Sequence, residues 1–214
     1  SRKDPKEVYI LYKELLIGVT RFFRDEEAYQ SLKQRVLPDL LSNNKEENQL
    51  RVWTVGCSTG EEAYSLAIII QEALEEYGKN LDVKIFATDI DKDAIEVASS
   101  GMYSENIVSD VNQDRLVKYF IKKEEGYQIS EYIRQMVIFA KHNVLRDPPF
   151  SKIDLIACRN MLIYLKPEVQ QKIISMFYYS LGPDGYLFLG SSESIGELSK
   201  GFTTLDNKWK LFRY

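Results

Sequence analysis

Residues 52–66, V-W-T-V-G-C-S-T-G-E-E-A-Y-S-L, restrict what this chain can fold into more than any other stretch. A short apolar strand enters a Gly-x-x-x-Gly turn and leaves it as a helix whose first turn holds two glutamates. Glycine permits positive φ and lets backbone approach a ligand closely, as in the first βα turn of nucleotide-binding α/β sheets, so Gly56 and Gly60 predict a ligand turn. A helix N-terminus ordinarily receives an anion such as a pyrophosphate, but Glu61 and Glu62 occupy that place and repel one. A cationic ligand fits better. S-adenosylmethionine carries a sulfonium and an ammonium group beside its adenosine, and an acidic residue here can pair with the positive part. Taken alone, the glutamates read equally well as a capped helix start.

The rest of the chain supplies the frame for that turn. Its 214 residues suit one large α/β domain, and no Pro, Gly or Ser-rich linker divides them. Asp4-Pro5 starts a helix whose apolar stripe ends near Gly18, and a second helix is predicted over 26–41, followed by a polar connector over 42–49. Strands are predicted at 51–55, 83–88, 136–140, 153–157, 186–189, 202–205 and 209–213, with helices at 61–77, 91–99 and 167–181. Residues 103–132 are less regular, with a helix near 113–119 and a hairpin turning at Glu125-Gly126, and read as an insertion. The last two strands read as a hairpin joined at Asp206-Asn207. Strands alternating with helices predict a mainly parallel sheet covered on both faces, with ligands beyond the carboxyl ends of its strands.

Composition excludes several classes of function. The net charge of −4 comes from signs mixed along the chain, so no basic face predicts nucleic-acid binding. Cys57 and Cys158 lie far apart without metal-ligand spacing, which predicts reduced thiols in a cytoplasmic setting and no metal site. No apolar run approaches the length of a membrane span, and no signal pattern opens the chain. A start at Ser1 is read as an excised domain.

Three further segments should meet at the glycine turn. Asp89 ends the second strand about 30 residues on, where a carboxylate accepts hydrogen bonds from ribose hydroxyls; Asp91 is the better helix cap, which leaves Asp89 for a ligand. Cys158-Arg159-Asn160-Met161-Leu162-Ile163-Tyr164 follows the fourth strand and should project toward the same crevice, although Tyr164 could be an ordinary half-buried aromatic. Thr20-Arg21-Phe22-Phe23-Arg24-Asp25 reads on spacing alone as a packed connector. His142, the only histidine, has no neighbouring nucleophile, and Ser191-Ser192-Glu193-Ser194 lacks a nucleophile elbow.

Together, V-T-R-F-F-R-D, G-C-S-T-G-E-E-A-Y-S, F-A-T-D-I-D, C-R-N-M-L-I-Y and G-P-D-G-Y-L-F-L-G-S-S-E resemble the chemotaxis receptor glutamate methyltransferases, the CheR family, over residues 15–214. D-P-P-F-S-K-I-D-L-I-A-C-R-N and G-S-S-E-S-I-G are similar to the branch fused to methylesterase and sensory domains. The resemblance implies a Rossmann-like class I methyltransferase fold with a seven-stranded sheet, residues 1–45 as the remnant of a helical domain plus linker, and 46–214 as the S-adenosylmethionine domain. It places Thr20, Arg24, Glu62, Asp89, Asn143, Val144, Asn160 and Met161 at the cofactor, beside Gly56 of the turn. It places Arg24, Arg159 and Tyr164 near the transferred methyl group and the acceptor. Gly18 stands where the family commonly has Asn, and Ser191 where many members have His.

The implied reaction converts S-adenosylmethionine to S-adenosylhomocysteine and forms glutamate methyl esters on chemoreceptor cytoplasmic domains. Arg24 and Arg159 are expected to orient the acceptor carboxylate, with Tyr164 as a hydrogen-bond donor. A small carboxylate or hydroxyl metabolite as acceptor, and a non-catalytic S-adenosylmethionine sensor, remain open from the sequence.

Overall fold

The computed structural model describes residues 20–42 and 49–214, apart from the side chains of 197–199. The helix expected before Gly18, Gly18 itself and residues 43–48 of the polar connector lie outside the described residues. Where one helix is expected over 26–41, two form: α1 (Glu26–Arg35) and α2 (Leu37–Ser42). Pro38 is the cause, because it has no N–H for the carbonyl one turn back and its ring disfavours helical backbone just before it. Val36 takes up the break with φ −115°.

β1 (Gln49–Val55) is buried along most of its length, as a central parallel strand must be when both faces are covered. It pairs in parallel with β2 (Asp82–Asp89) on one side and β7 (Ile153–Cys158) on the other. α3 (Glu61–Glu76) follows the glycine turn, and α4 (Lys92–Ser100) follows β2, capped by the Asp91 side chain on the Asp93 amide at 3.0 Å. Chain order then gives β3 (Met102–Tyr103), α5 (Gln113–Tyr119), β4 (Phe120–Lys123), β5 (Gly126–Ile129), α6 (Glu131–Arg134) and β6 (Val137–Lys141). After β7 come α7 (Pro167–Ser180), β8 (Leu181–Leu189), β9 (Thr203–Asp206) and β10 (Leu211–Arg213).

The main sheet has seven strands in the order β6-β2-β1-β7-β8-β10-β9. β6, β2, β1, β7 and β8 pair in parallel, and β10 is antiparallel to both β8 and β9. β8 starts at Leu181, earlier than the expected 186: Gly182-Pro183-Asp184-Gly185 is absorbed into the strand as an irregularity where the β7 register shifts between Ile153 and Leu155. Strand order reverses between β1 and β7, the place where open α/β sheets bind ligands. In-register pairs Val55–Thr88 and Asp89–Lys141 bring the carboxyl ends to one edge.

One core layer packs α1, α2 and α3 on the sheet through Tyr29, Leu32, Leu40 and Leu66, and the other packs α7 through Ile174 and Phe177 around Trp53. Residues 102–129 form a separate three-stranded antiparallel sheet, β3-β5-β4. Its Tyr103 and Phe120 join the first core layer, so the insertion is fastened to the domain. Among the described residues no helix is long and apolar enough to cross a membrane.

Candidate active site

The glycine turn needs its glycines and uses its amides internally. Gly56 has φ 72° and a Cβ there would sit 3.0 Å from Met161 Sδ; Gly60 has φ 96° and its Cβ would meet Ala98 Cβ at 2.9 Å. The Gly56 and Cys57 amides donate to the Thr88 carbonyl at 2.8 and 3.0 Å, the Ser58 amide to Asp89 Oδ2 at 2.8 Å, and the Gly60 amide to the Cys57 carbonyl at 2.9 Å. Stitched to the end of β2 in this way, the turn offers none of these four amides to a phosphate. Geometry thus reinforces what the two glutamates suggested.

Those glutamates divide the two readings between them. Glu61 accepts from Thr59 Oγ1 at 2.7 Å and fixes the turn. Glu62 faces a cavity of about 730 Å³, and its buried Oε1 has no hydrogen-bond partner among the described residues. Burial pushes its pKa up to about 7, with Glu193 acting the same way and the Arg159 and Arg24 charges opposing. A buried acceptor without a partner among the described residues, placed at a cavity, is rare and suits a ligand donor there.

The cavity gathers every candidate from the sequence. Thr20 and Arg24 come from the segment before α1, Gly56 and Glu62 from the turn and α3, Asp89 from the end of β2, and Asn143 and Val144 from the loop after β6. Arg159, Asn160 and Met161 follow β7, and Tyr164 ends a short 3₁₀ helix, Leu162–Tyr164, with its side chain largely exposed. Asp89 receives one amide on each oxygen, Ser58 at 2.8 Å and Asp91 at 2.9 Å, so each oxygen keeps acceptor capacity for a ligand hydroxyl. His142 lines the wall with Nε2 3.1 Å from the Pro148 carbonyl, which requires that nitrogen to carry the hydrogen.

The packed-connector reading of residues 20–25 is half of what the fold contains. Phe22 and Phe23 are buried, and the Phe23 amide donates to Ser65 Oγ at 2.9 Å. Arg21 and Arg24 nevertheless line the cavity. Arg159, buried, donates from Nη1 to the Arg24 carbonyl and from Nη2 to Asp25 Oδ2, both at 2.9 Å, and its guanidinium carbon lies 4.7 Å from the Phe188 ring. Both terminal nitrogens thus hold the Arg24 segment, where the sequence suggested direct contact with an acceptor.

Sequence reasoning passed over Glu193. Buried beyond β8, it accepts the Gly190 and Asn160 amides on Oε2 at 2.6 and 3.0 Å and the Leu162 amide on Oε1 at 2.7 Å. These bonds hold Asn160 at φ 59° and aim the turn that carries Arg159, Met161 and Tyr164. Asn160 Oδ1 is a second buried acceptor without a partner among the described residues. Ser58 and Asn160, which line the cavity, both have positive φ, as do Phe23 and Asp25 in the segment that carries Arg24. The exposed side chains of Ile90, Val97 and Leu145 form an apolar wall that was also missed, because exposed apolar residues are individually unremarked in a sequence.

A parallel sheet with its one reversed strand next to the edge, a glycine turn after β1 and a carboxylate ending β2 define a class I S-adenosylmethionine-dependent methyltransferase fold. Residues 18–211 match the family described as CheR methyltransferase, SAM binding domain, and the chain belongs to that family. It is 40% identical over 98% of its length to an uncharacterized 104.1 kDa protein of Rhodobacter capsulatus, of which it covers 22%. It is 35% identical over 82% of its length to the chemotaxis protein methyltransferase of Borreliella burgdorferi, covering 64% of that protein. Chemotaxis protein methyltransferase 1 of Pseudomonas aeruginosa is 37% identical over 84% of the chain, which covers 67% of it. The chain thus spans about a fifth of the first relative and about two thirds of the other two.

Proposed function

We propose that this domain transfers the methyl group of S-adenosylmethionine to glutamate side chains of a chemoreceptor cytoplasmic domain, within the cytoplasm. The observation that carries it is the pair of buried acceptors, Glu62 Oε1 and Asn160 Oδ1, which have no donor among the described residues in a cavity that arginines also line. A primary ammonium group supplies the donors both oxygens need. The relatives named as chemotaxis methyltransferases support the choice of acceptor. Coverage of only 22% of the Rhodobacter protein is compatible with fusion to methylesterase and sensory domains.

In this reading Asp89 takes the ribose hydroxyls, Ile90, Val97, Val144 and Leu145 enclose the adenine, and Asn143 shapes their loop by accepting the Leu145 amide at 3.0 Å. Thr20 and Arg24 cover the amino-acid end, and Met161 packs over Gly56.

Bound S-adenosylmethionine supplies an electrophilic methyl group on a sulfonium. An acceptor glutamate, with an ordinary pKa of about 4.3, is already ionised at neutral pH and needs no general base. Its oxygen forms a bond to the methyl carbon as the sulfur–carbon bond breaks, and the electron pair stays on sulfur, so an anion and a cation become an ester and a thioether. Exclusion of water from both charges favours that step, and fixed geometry can lower the barrier by roughly 7 kcal/mol or more. Arg24 and the Tyr164 hydroxyl orient the carboxylate by charge-assisted hydrogen bonds that leave one lone pair for attack. Arg159 acts through Arg24, by fixing its backbone.

With a chemoreceptor cytoplasmic fragment as acceptor, Arg24→Ala should lower kcat/KM roughly a hundredfold and Tyr164→Phe roughly tenfold, with methyl-glutamate located by peptide mass spectrometry. Unchanged transfer by both variants would refute the assignment.

A further inference from the structure

Charge in the cavity is divided by element. Glu62, Asp89, Asp91 and Asp93 come from the first turn of α3, the end of β2 and the start of α4, whereas Arg21, Arg24 and Arg159 come from the segment before α1 and the turn after β7. The three arginines are not equivalent. Arg159 is buried and holds the Arg24 carbonyl and Asp25. Arg24 is half-buried beside Glu62, whose ionised form it favours. Arg21 is exposed, and among the described residues its guanidinium makes no hydrogen bond or ion pair, yet it lines the same cavity.

Its backbone is nonetheless fixed. Phe22, next in sequence, packs edge-on to Tyr103 and Phe120 with ring centroids 4.8 and 5.4 Å apart, and the Phe23 amide is held by Ser65. Arg21 therefore projects from an anchored segment at the mouth of the cavity. The donor's ammonium and carboxylate offset each other, its sulfonium is neutralised by one acceptor carboxylate in the reaction, and Arg24 lies where it can serve both the donor's amino-acid end and that acceptor carboxylate. Arg21 is then a further cation at the mouth, unpaired among the described residues, in a chain of net charge −4, and a second anion on the acceptor would match it.

We infer that Arg21 is a specificity-determining residue that binds a second carboxylate of the acceptor, adjacent to the methylated glutamate or one helical turn from it, so that the substrate is an acidic peptide segment and not an isolated carboxylate. This rests on the methyl transfer proposed above. An exposed pair of this kind strengthens acceptor binding without touching the donor, and salt weakens it.

The test uses labelled S-adenosylmethionine and two chemoreceptor cytoplasmic fragments, one natural and one whose acidic neighbours of the target glutamate are changed to glutamine. Arg21→Ala should raise KM for the natural fragment roughly three- to fivefold, with little change for the neutralised fragment. Arg21→Glu should raise it further, and Arg21→Lys should recover most of the loss. S-adenosylhomocysteine affinity, measured on each variant, should hold at the wild-type value, which separates acceptor binding from damage to the fold. Equal KM changes for both fragments, or no change for either, would overturn the assignment. Absence of transfer by the wild-type protein to either fragment would instead refute the underlying function.

Discussion

In the proposed function Glu62 carries the charge that selects a cationic ligand, and its titration gives the sharpest test at the residue scale. Its folded pKa, about 7 against an ordinary 4.5, means that the native protein holds this proton more tightly than the unfolded chain. Its contribution to stability is therefore fully present below pH 4.5 and is lost as pH rises from there through about 7. Glu62→Gln should raise the melting temperature of the ligand-free protein by a few degrees at pH 8 and by less at pH 5. The same substitution should weaken S-adenosylhomocysteine binding tenfold or more at pH 8, since a charge-assisted hydrogen bond is lost. An ammonium group needs the ionised carboxylate, so wild-type affinity should fall as pH drops through 7, with proton release on binding visible by calorimetry in buffers of different ionisation heat. Glu62→Gln should flatten that profile. The sequence could not separate Glu61 from Glu62, because adjacent residues on a helix start share composition and charge; only the fold turns one onto Thr59 and the other into the cavity.

At the scale of elements, the site depends on two loops held by buried ions. Arg159 fixes the segment before α1 through Asp25 and the Arg24 carbonyl, with both partners matched to a planar fork. Arg159→Lys, retaining charge but losing the fork, should lower stability by about 2 kcal/mol in chemical denaturation and raise KM for S-adenosylmethionine. Asp25 sits at φ 60°, which Asn tolerates better than Ala, so Asp25→Asn should cost less than Asp25→Ala. Glu193 holds the turn after β7, and Glu193→Ala leaves three amides without their acceptor, which should cost about 2–4 kcal/mol in the same measurement. Neither role could be read from spacing: a salt bridge from residue 159 to residue 25 and a carboxylate at 193 beneath residue 160 arise only once the strands have aligned their carboxyl ends. The Pro38 break was legible in principle, since proline's missing donor is a local property, but the apolar stripe across 26–41 masked it.

For the molecule as a whole, alternation of strands and helices sufficed to place all seven strands of the main sheet, because period and turn chemistry are local. The short β3, two residues that pair only with β5 of the insertion, carries no such signal. Meeting of distant segments at one crevice was foreseeable from the carboxyl-end rule, which is why Gly56, Asp89 and Asn160 could be grouped before the cavity was known. Its apolar wall and its unpaired acceptors required the assembled fold. Ligand should stabilise that assembly: S-adenosylhomocysteine at about a hundred times its dissociation constant should add roughly 2.7 kcal/mol, seen as a rise in melting temperature that Glu62→Gln reduces. The most direct measurement is transfer of labelled methyl from S-adenosylmethionine to a chemoreceptor cytoplasmic fragment, followed by mild base. Label released as methanol is the expected result, since a carboxyl methyl ester is base-labile. Base-stable label, or no label on the fragment from a protein that binds S-adenosylhomocysteine, would contradict glutamate methylation in this cavity.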